Sequence, residues 1–136
     1  MTPAVERRLL QTAVAIGCLS PMIFGLEGIL RGPAMLHGVA AGPVAPDLAS
    51  HYRYLSGLFF GLGLMLLSCL PRIEAMTVRF RWAVAAIVCG GLARLLGLAM
   101  GDQPGAAHQL ALGAELVLTP LLALWQARVA RRSASA

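Results

Sequence analysis

Long apolar runs alternate with connections that, together with the two terminal flanks, carry ten of the eleven arginines. The runs extend from Leu9 to Leu30, Tyr54 to Leu70, Trp82 to Met100 and Ala106 to Ala127. Each comes close to the roughly 17–25 residues that a helix needs to cross a bilayer. They predict an all-α polytopic membrane protein, a bundle of four transmembrane helices over about residues 9–30, 53–70, 81–101 and 106–128 with a loop at 32–50. The whole chain, 1–136, reads as one domain. Glu6, Arg7 and Arg8 ahead of the first run give it the look of a signal peptide. Its apolar part exceeds the usual ~7–15 residues and three further spans follow, so it is expected to stay in place.

An even number of crossings puts both ends on one side. Arg7, Arg8, Arg72, Arg79, Arg81, Arg128, Arg131 and Arg132 fall there, against Arg31 and Arg53 on the other. The positive-inside rule therefore predicts cytoplasmic termini and an outward loop from Gly32 to Ser50. That loop holds Pro33, Pro43 and Pro46, and Ala34 to Val39 is apolar enough for a short re-entrant turn that would act as a lid. A mobile external loop is the competing reading.

Composition supports lipid as the solvent: 58% of residues are hydrophobic, 12% are charged and the mean hydropathy is +0.75. The basic pI near 10.1 reflects arginines at the ends of apolar runs, not a basic face with interleaved aromatics, so nucleic acid is not an expected partner. Lysine is absent, and the Ala, Gly, Leu and Arg bias suggests a bacterial inner-membrane protein encoded by GC-rich DNA. Cys18, Cys69 and Cys89 lie in separate runs with no metal-ligand spacing and read as small buried hydrophobes.

The informative residues are the charges inside the spans. A central charge costs ~2.5–3.5 kcal/mol even on insertion scales, so each needs a partner or a role. Arg94 lies 13 residues from Arg81, and Glu115 lies 13 from Arg128. At ~1.5 Å per residue both stand ~20 Å above the inner boundary. Glu27 and Arg53, each 19 residues from the arginine at the inner end of its span, share a level near ~28 Å. Helical spacing aligns Arg53 with Gly57 and Gly61, Arg94 with Gly90, Gly97 and Gly101, and Glu115 with His108 and Thr119. The glycine rows are read as close-packing faces. Pro21 and Pro120 interrupt the first and fourth spans, and Ser20 and Thr119 are candidate partners for the backbone groups they free.

Two readings follow. The charges form structural ion pairs, Arg94 with Glu115 and Glu27 with Arg53, that fix helix order. Alternatively Glu27, Arg53, Arg94 and Glu115, with His51 at the mouth, form an outward polar pocket. In it the arginine forks hold the carboxylate, phosphate or carbonyl oxygen of a lipid-like ligand. Binding is favoured over catalysis, because the chain has no Ser-His-Asp spacing, nucleophile elbow, zinc-helix motif or phosphate loop. No cofactor is expected, and the irregular spacing of His37, His51 and His108 matches no metal-ligand pattern. An accessory or scaffold subunit that docks a second copy or another membrane protein is the alternative. A membrane enzyme or small proton-coupled exporter ranks below it, since Arg53 and Arg94 would repel cationic substrates and hold the acids ionised.

Three segments carry a resemblance: His51-Tyr52-Arg53-Tyr54-Leu55-Ser56-Gly57-Leu58-Phe59, Gly90-Gly91-Leu92-Ala93-Arg94-Leu95-Leu96, and Glu115 to Trp125 with Thr119-Pro120 at its centre. Together they resemble a bacterial four-span family catalogued as domain-of-unknown-function family 4345, over nearly the whole chain. The resemblance implies a small inner-membrane four-helix bundle and places Arg53, Arg94 and Glu115 in recurrent motifs. It implies no reaction.

Overall fold

The computed structural model describes residues 2–36 and 43–135, and among these there is no strand. Helix α1 covers Pro3–Arg31, α2 Pro46–Cys69 and α3 Thr77–Ala99. The last span is built from α4, Ala106–Gly113, a π turn over Ala114–Leu118 and α5, Thr119–Ala134. Short 3-10 turns, Gly32–Met35 and Leu70–Arg72, follow α1 and α2. Four of these helical stretches are long and apolar enough to cross a membrane, so the architecture is that of an all-α, multi-pass membrane protein.

Local chemistry sets the ends. Prolines open α1 and α2 at the first helical position, where a missing N–H costs nothing. Glu6 and Asp47 stand in the first turns of those helices, where the macrodipole favours an acid. Because α2 begins at Pro46, the last residues of the expected 32–50 loop are helical. The first residues, Gly32–Met35, make the 3-10 turn. The rest of the expected re-entrant segment, 37–39, lies outside the described residues, as does His37.

The chain divides into two compact units, Ala13–Ser68 and a larger one formed by Met1–Thr12 with Cys69–Ala136. In the smaller unit α1 and α2 touch through glycine. A Cβ on Gly25 would stand 2.8 Å from the backbone nitrogen of Phe60, and one on Gly28 would overlap the Ser56 side chain. Three of the glycines aligned by spacing behave differently: among the described residues no neighbouring atom lies within 4 Å of a Cβ built on Gly57, Gly61 or Gly90.

In the larger unit the buried apolar side chains are Leu10, Cys69, Ile73, Phe80, Ala83, Val84 and Val129. Polar groups are threaded among them at the end where α1 begins and α5 finishes. Glu6 is 2% exposed and receives Arg128 Nε on one oxygen at 3.0 Å and Arg132 Nη1 on the other at 2.6 Å. Gln126 is fully buried, and its amide donates to the Ile73 carbonyl at 2.8 Å and to Thr77 Oγ1 at 2.9 Å. Gln11 donates to the Leu70 carbonyl at 2.7 Å, and Arg7 pairs with Glu74 at 3.3 Å. These bonds tie the start of α1, the Leu70–Met76 connection and the last turns of α5 together, and they explain why both helices run on past the apolar limits.

Candidate functional site

The site begins with the way α3 stops. Gly101 has φ +103°, a conformation open to glycine and strained for other residues. The amide of Asp102 then bonds back to the Gly97 carbonyl at 3.0 Å and that of Gly101 to the Leu98 carbonyl at 3.1 Å, the paired bonds of a Schellman ending. This folds Asp102 over the last turn of the helix. Room for its carboxylate exists because Gly97 has no side chain: a Cβ there would stand 2.5 Å from Asp102 Oδ2. Pro104 follows, Gln109 Nε2 donates to its carbonyl at 3.1 Å, and α4 starts two residues later, at Ala106.

Between the end of α3 and α4 lies a cavity of about 200 Å³, lined by Ala93, Arg94, Gly97, Leu98, Asp102, Pro104, His108 and Leu112. Of these eight residues three carry side chains that can bond a ligand, and the remainder are small or apolar. Arg94 stands at its inner wall. Its Nε donates to Glu115 Oε1 at 3.2 Å and lies 3.1 Å from Oε2, so a single N–H edge faces the whole carboxylate. Oε2 is buried and makes no hydrogen bond of acceptable geometry. The Glu115 side chain is 15% exposed and that of Arg94 41%, which makes the acid the buried anchor and the guanidinium the accessible member. With Nε occupied, the two Nη groups remain for a partner in the cavity.

Two features place Glu115 there. Pro120 has no N–H to give the preceding turn, and the helical ladder widens over Ala114–Leu118. The Thr119 amide reaches the Ala114 carbonyl five residues back, and the Thr119 hydroxyl donates to the same oxygen at 2.9 Å. The Thr119 hydroxyl thus serves the π turn and not a carbonyl orphaned by Pro120. On the facing helix Gly91 permits close approach, since a Cβ there would stand 2.9 Å from Glu115 Cβ and 2.8 Å from Leu116 Cδ2.

The remaining predicted residues belong to the smaller unit. The expected Glu27–Arg53 pair does not form: Glu27 binds Arg31 one turn along α1. Arg53 Nη1 instead donates to the carbonyls of Ile29 at 2.6 Å and Leu30 at 3.1 Å, which lie in the last turn of α1 where no intrahelical donor is left. The His51 ring lies 6.5 Å from that of Tyr54. Sequence reasoning missed Asp102 altogether and left His108 out of the site, although its helical spacing already set it on the Glu115 side. Glycine followed by Asp102 and Pro104 was the available signal for a chain reversal at the end of α3. Among the described residues, no group of three His, Cys, Asp or Glu side chains is placed to hold a metal ion.

No curated protein and no solved structure matches the chain. One family model does, over residues 9–126, a stretch that covers most of each of the four spans and includes Arg94, Glu115 and the whole cavity lining. The chain belongs to that family, described as Domain of unknown function (DUF4345).

Proposed function

We propose that the protein binds the oxygen-bearing head of a lipid-like molecule in the Arg94 cavity. The reading extends to a bacterial inner-membrane protein with cytoplasmic termini and the cavity in the outward half of the bilayer. One observation carries it: Arg94 meets Glu115 through Nε alone, and its paired Nη groups remain beside a cavity bordered by Leu98 and Leu112. A guanidinium held from behind by a buried carboxylate is oriented, and its free fork matches a carboxylate, phosphate or carbonyl oxygen. In this reading Glu115 positions Arg94 and does not touch the ligand.

Native mass spectrometry of the detergent-purified full-length chain tests the assignment. A co-purifying small molecule is expected, and it should be lost in Arg94→Lys, which keeps a cation for Glu115 but removes the planar fork. Retention of that molecule in the variant, or its absence from the wild type, would overturn the reading. Exchanging the charges with Arg94→Glu and Glu115→Arg should restore folding through the reversed pair without restoring the ligand.

A role as an accessory or scaffold subunit is the second reading, supported by the open surroundings of Gly57 and Gly61 and by the exposure of Leu110, Leu118 and Leu124 on the fourth span. Crosslinking in membranes should then capture a distinct second protein at Gly57 or Gly61 positions replaced by cysteine. Recovery of lipid adducts alone at those positions would count against it.

A further inference from the structure

Asp102 gives the cavity a second charge that binding by Arg94 does not use. The Schellman backbone fixes the residue at the end of α3 with its carboxylate over Gly97. Arg94 pairs with Glu115 instead, and among the described residues no ion pair or hydrogen bond to the Asp102 carboxylate is formed. One small cavity therefore presents an unmatched guanidinium edge and an unmatched carboxylate, with His108 alongside and the apolar Ala93, Leu98, Pro104 and Leu112 completing the wall.

This combination restricts the ligand. A simple anion seated on Arg94 would share a cavity of about 200 Å³ with the Asp102 carboxylate, and a simple cation seated on Asp102 would share it with Arg94. Like charges that close are unfavourable, the more so where lipid and apolar side chains displace water. A molecule carrying both an oxyanion and an ammonium group meets both demands at once. The volume adds a second restriction. At about 200 Å³ the cavity falls below the ~300–1,000 Å³ typical of sites that enclose a whole ligand, so it accommodates a head group whose chains lie outside.

We infer that the cavity selects a zwitterionic head, with its phosphate or carboxylate oxygens on the Arg94 Nη groups and its primary ammonium on Asp102. The inference rests on the reading that Arg94 binds a head group at all. The same chemistry occurs in a phospholipid with an ethanolamine head and in small soluble zwitterions, and the test separates the two sources.

The full-length protein in detergent is titrated by native mass spectrometry with three probes. These are a short-chain phospholipid with an ethanolamine head, one with a glycerol head, and soluble glycerophosphoethanolamine. The ethanolamine lipid is expected to bind about tenfold more tightly than the glycerol lipid, the difference one charge-assisted bond supplies. Asp102→Asn should abolish that preference while leaving the glycerol lipid bound as well as before or better. Asp102 is exposed and makes no side-chain bond with the described residues, so the variant retains the fold. Equal affinity of the wild type for both lipids, or equal loss of both in Asp102→Asn, overturns the zwitterion assignment and leaves the Arg94 reading standing. If neither lipid binds, or if Arg94→Lys leaves both affinities unchanged, the Arg94 reading itself fails. Binding of glycerophosphoethanolamine as tight as that of the ethanolamine lipid supports the zwitterion and assigns it to a soluble molecule. Binding at least a hundredfold weaker assigns it to the membrane.

Discussion

Two carboxylates, Glu6 and Glu115, anchor arginines in the larger unit, and they are used in opposite ways. Glu6 is closed off: it is 2% exposed and has a separate guanidinium on each oxygen. The fully buried Gln126 amide ties the same end to Ile73 and Thr77. Glu115 holds one arginine by one edge and leaves the rest of that arginine directed at a cavity. Both are ion pairs between distant parts of the chain. What separates a lock from a site is therefore the number of donors left over once the protein's own acceptors are filled.

Four substitutions sharpen this contrast, in order of expected cost to stability. Glu6→Ala removes the acceptor of two arginines and is expected to lower the unfolding free energy by about 3 kcal/mol, measured by denaturant titration in micelles. A loss under about 1 kcal/mol would mean that the terminal cluster is ornamental. Gln126→Leu leaves the Ile73 carbonyl and the Thr77 hydroxyl without their buried donor and should cost about 2 kcal/mol in the same assay. Neither change should alter ligand retention at the Arg94 cavity, and a joint loss of binding would erase the distinction between the two regions. Gly101→Ala forces a side chain onto a positive φ and should cost about 1 kcal/mol. Its second effect is displacement of Asp102, so any preference among head groups should fall even though no ligand-facing side chain has changed. Arg94→Lys should cost less than about 1 kcal/mol, since the half-exposed cation keeps its partner, yet it should remove the bound molecule. A large stability loss with ligand retained would place Arg94 in the same class as Glu6.

Much of the fold could be read from the runs of apolar residues, because a helix in lipid satisfies its own backbone and its length is dictated by bilayer thickness. The Arg94–Glu115 pair was legible for a related reason: equal distances from the flanking arginines put the two charges at one depth. Glu27 and Arg53 met the same depth criterion and do not pair. Arg31 stands four residues from Glu27 on its own helix, and a partner one turn away needs no tertiary geometry to be found. The helices run on past the apolar limits because Glu6, Arg128 and Arg132, which read as solvated flanks, pair with one another; the pairing of residues 126 positions apart leaves no trace in local hydropathy. Asp102 was overlooked for the converse reason. A charged residue after an apolar run reads as loop, and the backbone turn that carries it back over Gly97 depends on one glycine and its φ.

The π turn at Ala114–Leu118 has a consequence for the way this chain can vary. Five residues there do the work of four, so the helix segments on either side are out of rotational phase with the unbroken screw that a regular α-helix would impose. Deleting any one of them would bring the two halves into register and swing His108 and Leu112 through about 100° relative to Gln126 and Arg128. The widened turn thus acts as an angular joint. Ancestral insertions or losses at this point could re-aim the upper half of the span while the lower half kept its grip.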